Sequence, residues 1–156
     1  MGRTCGVVGP RPARVHVGGL PGPPGPPDEG AVLLVKPCYR PYWQLPGGLV
    51  EHNEPPQRAA GRELGEEAGL PIDVPDRLLV VYWMPARDDR PAPMINWTFH
   101  ASIVHSAPQV VSPDEIIDVQ FVPWDKAEKL LSDEDAPRLP AARRALRQGS
   151  TVYVGG

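Results

Sequence analysis

Two cysteines, Cys5 and Cys38, are all that this chain of 156 residues contains. They are too few for a disulfide framework and do not form a C-x-x-C pair. No apolar run approaches 18 residues, and the opening MGRTCGVVGP lacks the apolar core of a secretory signal, which reads against membrane insertion and secretion. Gly6 stands where a myristoylation signal wants Ser or Thr. An excess of positive charge is also missing. The formal net charge of −3 argues against binding a nucleic-acid polymer, whose phosphates need Lys and Arg. A small phosphorylated substrate stays open, because a metal ion can bring positive charge locally. These absences together lead us to expect a reduced, cytoplasmic protein with no membrane attachment.

What is present is unevenly spread. The first 30 residues hold 8 Gly and 7 Pro, so residues 1–12 read as a flexible N-terminal arm and 13–156 as one domain. GGLPGPPGPP (18–27) has too few triplets for a collagen helix and reads as a Pro-rich connection. Segments 13–19, 31–36, 77–84, 94–104 and 116–122 read as strands, with AVLLVK (31–36) buried on both sides. PARDDRPAP (85–93) is a turn. PPQRAAGRELGEEA reads as a helix with Asn53 as N-cap, prolines in its first turn and Gly69 just past its end. Segments 124–132 and 136–148 read as further helices, the second interrupted at Pro140, and 151–154 as a short strand or tail. The order implies one mixed β-sheet covered by helices on both faces, an α/β fold.

Within the first helix, Glu63, Glu66 and Glu67 fall on an arc of about 100° at helical pitch. Like charges spaced this way repel by about 0.2–0.5 kcal/mol per pair, so the cluster suits a positive partner. Hard oxygen donors on one face suit Mg²⁺ or Mn²⁺. The tight Pro46-Gly47-Gly48 turn just upstream would let a backbone carbonyl approach. An acidic, solvated helix face is the competing reading. Gly61 and Gly65, both costly inside a helix, suggest close backbone packing.

From Gly48 the chain runs five residues to Glu54, seven to Arg62-Glu63-Leu64, one to Glu66-Glu67, and one to Gly69-Leu70. This resembles the signature of the Nudix hydrolases, G-x5-E-x7-R-E-U-x-E-E-x-G-U with U aliphatic, and matches it at every position. WQLP (43–46) is similar to the usual lead-in, and the order of elements resembles the family's α/β/α sandwich. The resemblance implies hydrolysis of a diphosphate linkage in a nucleoside diphosphate joined to another group X: ADP-ribose, a nucleotide sugar or a modified nucleoside triphosphate. It implies Glu63, Glu66, Glu67 and the Gly47 carbonyl as the divalent-metal site, one carboxylate serving as or supporting the base. It implies Glu54 and Arg62 as an ion pair bracing loop and helix. A homodimer is compatible with the family. The alternative is a Nudix-fold module that binds a nucleotide metabolite without cleaving it, though such modules usually lose box carboxylates.

In many members a later acid completes the site. Asp114, Glu115 and Asp118 are available, with Glu115 and Asp118 the better placed. Arg40 and Tyr42, in the turn before the motif, are candidate substrate contacts through guanidinium and ring. Pro85 lies roughly where ADP-ribose hydrolases of the family carry a proline, but 22 prolines make that coincidence cheap. Single Trp residues within apolar strands read as core.

Overall fold

The computed structural model describes residues 13–16, 30–101 and 106–155. The expected arm (1–12) and the Pro-rich connection (18–27) lie outside them, as does the end of the strand expected to reach 104. Among the described residues, six strands and three helices follow in the order β1 (Ala13–His16), β2 (Ala31–Pro37), α1 (Pro56–Ala68), β3 (Leu78–Met84), β4 (Met94–His100), β5 (Ile116–Pro123), α2 (Trp124–Leu130), α3 (Arg138–Gln148) and β6 (Val152–Val154).

The strands form two sheets where a single one was expected. The larger is mixed, in the order β1-β4-β3-β6; the smaller pairs β2 with β5. Strands β3 and β4 are antiparallel, whereas β1 joins β4 and β6 joins β3 in parallel. The separate β2–β5 pair is antiparallel, from Ala31 opposite Pro123 to Lys36 opposite Asp118.

The continuous apolar run of β2 explains its place. Val32 and Leu34 pack into a cluster with α2, α3, β3 and β6, while Leu33 packs with Ala59, Ala60, Leu64 and Ala68 of α1. A strand buried on both faces needs apolar residues at successive positions. Helices therefore flank the strands on two sides, as an α/β/α sandwich requires.

Three local details differ from expectation. The N-cap of α1 is Pro55, not Asn53. Asn53 sits at φ 60° in the turn before it, a left-handed conformation that Asn tolerates better than most residues. Helix α3 is uninterrupted, because it starts at Arg138 and Pro140 falls in the first turn, where a missing N–H costs little. Of the two helix glycines, only Gly61 is crowded. A Cβ there would lie 2.9 Å from the Ile72 carbonyl oxygen, against 4.0 Å for the nearest atom at Gly65.

The end of α1 follows its sequence. Gly69 takes φ 65° and returns its amide to the helix, and the Leu70 amide reaches the Leu64 carbonyl at 3.2 Å. Among the tryptophans, Trp124 is buried but Trp83 is exposed, because β3 turns that side chain to the sheet face opposite α3.

Candidate functional site

The site is built from the loop before α1 and the outer face of that helix. Leu45, Pro46 and Gly47 are buried, which seats the loop against the core. Gly47 has φ 148°, a backbone state that side-chain-bearing residues rarely adopt. Its amide donates to Oε2 of Glu67 at 2.8 Å. The following residue, Gly48, lies under the Glu63 carboxylate: a Cβ there would be 2.3 Å from Oε1. The motif glycine thus makes room for a motif glutamate fifteen positions later.

Arg62 organises the remaining carboxylates. Its Nε and Nη2 donate to the two oxygens of Glu54 at 3.0 and 3.1 Å, a bidentate pair with the geometry that makes Arg–carboxylate contacts strong. Nη1 donates to Glu63 at 2.8 Å and to Glu66 at 3.0 Å, and Nη2 also reaches the Leu49 carbonyl at 3.1 Å. One guanidinium ties the loop to the helix and partly offsets three negative charges.

The electrostatics follow from these contacts. The Arg62 hydrogen bonds hold the Glu54 carboxyl below its ordinary value, and Glu54 in turn holds Arg62 charged. Glu63 is pushed up, because burial outweighs its contact with Arg62. Glu54 binds fewer protons folded than unfolded. Its contribution to stability is therefore present above the ordinary glutamate range and lost as pH falls through the depressed folded value. Glu63 runs the other way, contributing fully below its ordinary range and losing that as pH rises through its raised folded value. Urea midpoints for wild type and Glu54→Gln should therefore differ at neutral pH, wild type being the more stable, and converge on acidification below the ordinary glutamate range. A constant gap down to acid pH would show that the Arg62 contact contributes nothing through charge.

Among the described residues no three His, Cys, Asp or Glu side chains converge as a formed cation cage. Arg62 stands between Glu63 and Glu66, and Glu67 is turned to the Gly47 amide. The donor set nevertheless suits a hard divalent cation in its chemistry. The half-buried Glu63, whose charged form is disfavoured, is the group that such a charge would relieve.

The structure thus brings Gly47, Glu54, Arg62, Glu63, Glu66 and Glu67 together. It does not bring Arg40, Tyr42 or Asp118 to them by any hydrogen bond or ion pair among the described residues. Tyr42 is exposed, and the Arg40 guanidinium lies 5.6 Å from the Tyr39 ring centre. Asp118 spends its oxygens locally, one on the Val119 amide and one on the Gln120 side chain, both at 2.8 Å. Glu115 is exposed, with its main chain held by Cys38 and Ser112. Ser112 was not singled out in the sequence, yet its hydroxyl donates to the Glu66 carbonyl at 3.1 Å. No local pattern marks a contact across 46 positions.

A carboxylate-bearing helix, a glycine loop folded onto it and a shared arginine, set in an α/β/α sandwich, define a Nudix-type site. The NUDIX domain model matches residues 26–144, and the chain belongs to that family. It is similar to an ADP-ribose pyrophosphatase of Methanocaldococcus jannaschii, 31% identical over 110 residues, covering 69% of this chain and 63% of that protein. It is also similar to an RNA pyrophosphohydrolase of Hydrogenovibrio crunogenus, 51% identical over 47 residues, covering 30% of this chain and 28% of that one. Both alignments span less than two thirds of the relative's own length. Among solved structures, a MutT NUDIX hydrolase from Burkholderia pseudomallei superposes with a TM-score of 0.60 at 27% identity, over 83% of this chain and 97% of that one.

Proposed function

We propose that the protein is a hydrolase that cleaves a diphosphate linkage in a nucleoside diphosphate joined to a further group. Its substrate would be ADP-ribose, a nucleotide sugar or a modified nucleoside triphosphate. The observation that carries this reading is the convergence of the complete motif: Glu67 on the Gly47 amide, Glu63 over Gly48, and Arg62 shared among Glu54, Glu63 and Glu66. A module that only binds its ligand has no need to keep these charges, which oppose a phosphorylated ligand unless a cation intervenes. The names of the relatives support the diphosphate chemistry.

In this reading Glu63, Glu66, Glu67 and the Gly47 carbonyl hold a divalent cation, Mg²⁺ or Mn²⁺. When bound, the cation neutralises phosphate charge and acidifies water. The chain's own residues do the rest. Gly47 and Gly48 let backbone and carboxylates approach closely. Glu54 holds Arg62, and Arg62 holds Glu63 and Glu66 beside the loop, so the carboxylates are already gathered at one end of the site before substrate arrives. A glutamate of the helix accepts the proton of the attacking water. Glu115, exposed and with its carboxylate unengaged among the described residues, is the acid from the later segment that best fits a supporting role. Arg40 and Tyr42, exposed on their turn, are available to a nucleotide. The protein would work in the cytoplasm on a small substrate, as a monomer or homodimer.

The test is hydrolysis of a panel containing ADP-ribose, nucleotide sugars, dinucleoside polyphosphates, and canonical and oxidised nucleoside triphosphates, with Mg²⁺ or Mn²⁺ and again with chelator. Cleavage at a diphosphate that stops with chelator is expected and identifies the further group. Tight binding of a panel member without turnover would overturn the reading in favour of a binding module. Gly48→Ala gives a finer prediction. The new methyl forces the Glu63 carboxylate aside, so kcat should fall about tenfold or more with the melting temperature little changed, since only a side-chain end must move. Unchanged kcat would mean that the position of Glu63 does not matter.

A further inference from the structure

The C-terminal carbonyls of a helix lack partners within it, and in α1 two of them, those of Glu66 and Ala68, are met by one segment, residues 109–112. The Gln109 amide donates to the Ala68 carbonyl at 2.9 Å, and the Ser112 hydroxyl donates to the Glu66 carbonyl at 3.1 Å. The segment lies close to the helix end. A Cβ on Gly69 would be 3.1 Å from Cγ2 of Val111 and 3.4 Å from Cβ of Gln109. Beyond Ser112 the chain makes a tight turn, its carbonyl accepting the amides of Glu115 at 3.0 Å and Ile116 at 2.8 Å. The far side of that turn is fixed to β2's end: the Cys38 amide donates to the Glu115 carbonyl at 2.8 Å, and its thiol to the Asp114 carbonyl at 3.1 Å.

Apolar burial does little to hold this segment, since Val110 and Val111 are both exposed. Its polar fastenings therefore set where it lies. Among the described residues, the Ser112 side chain joins it to the backbone of Glu66, next to Glu67. Glu115 follows three residues later, within about 10 Å along the chain.

We propose that Ser112 is a positioning residue for hydrolysis, holding Glu115 at the end of α1 that carries Glu66 and Glu67. The inference rests on the hydrolase reading above and deepens it. Ser112 touches no reacting atom; it acts through Glu115.

The experiment compares wild type, Ser112→Ala, Ser112→Thr, Glu115→Gln and the Ser112→Ala/Glu115→Gln double variant on the substrate the panel identifies, together with amide exchange along the chain. Ser112→Ala should lower kcat about tenfold, the scale of one lost hydrogen bond, with KM nearly unchanged. Ser112→Thr, which keeps the hydroxyl, should restore kcat. Exchange should quicken in 109–116 and stay slow in the body of α1. Because Ser112 acts through Glu115, the double variant should be no slower than Glu115→Gln alone.

Faster exchange with unchanged kcat would make Ser112 merely structural and overturn the proposal, as would full additivity of the two substitutions. An inert wild type would instead bring down the hydrolase reading itself.

Discussion

Glu67→Gln is expected to lower kcat/KM by about 10²–10⁴-fold, the range over which a positioned acid–base group contributes, while leaving the fold in place. Glu67 is 9% exposed, and its Oε2 accepts the Gly47 amide at 2.8 Å. Glutamine has the same shape and presents a carbonyl oxygen to the same amide. The substitution therefore preserves packing and the loop-to-helix bond, and removes one negative charge. If the three glutamates offset a cation beside a diphosphate, that charge is what catalysis loses. Steady-state kinetics alongside a thermal melt separates the cases. Activity close to wild type would remove Glu67 from the chemistry. A large drop in melting temperature would make the charge of Glu67 a requirement of the fold. Equal binding of an uncleaved ligand by both proteins would favour the non-catalytic module.

Arg138→Ala should be the most destabilising single change outside the site, by about 3–5 kcal/mol, which lowers the melting temperature by about 10 °C in a chain of this size. Arg138 is fully buried at the start of α3. Its Nη2 meets Asp135 at 2.6 Å, and its Nη1 donates to Oδ1 of Asn96 on β4 at 3.2 Å. Asp135 is only 5% exposed, so removing the guanidinium takes the opposite charge away from a carboxylate in the core. The signature is in the double variant. Arg138→Met with Asp135→Leu removes both charges and should recover most of the loss, because paired buried charges are often replaceable by apolar residues at little cost. Urea unfolding of the two single variants and the double measures this coupling. A single-variant loss below about 1 kcal/mol would mean that water reaches the pair and screens it as it does a surface ion pair.

Glu67 and Arg138 differ in how much of their role the sequence carries. Glu67 was visible in the sequence, because every fixed position of the motif lies within one loop and one helix. Spacing within a helix translates directly into a shared face, so the carboxylate arc could be drawn without coordinates. The bond from Glu67 to the Gly47 amide could not. Nor did anything mark Arg138 as buried. An arginine at the start of a helix reads as a surface charge, and only its alignment with Asn96, 42 positions earlier, makes it part of the core.

The sequence by itself determined the element order, the buried strand β2, the glycine stop of α1 and the membership of the motif. All of these depend on periodicity or backbone preference over a few residues, where chemistry acts locally. The tertiary structure alone decided that the strands divide into two sheets, that Trp83 faces outward and that Asp118 turns to its neighbours. It also decided that Ser112 closes on the end of α1. Each of these depends on which strands pair and in what register. Pairing is set by the summed burial of both faces of the sheet, a quantity no single segment contains.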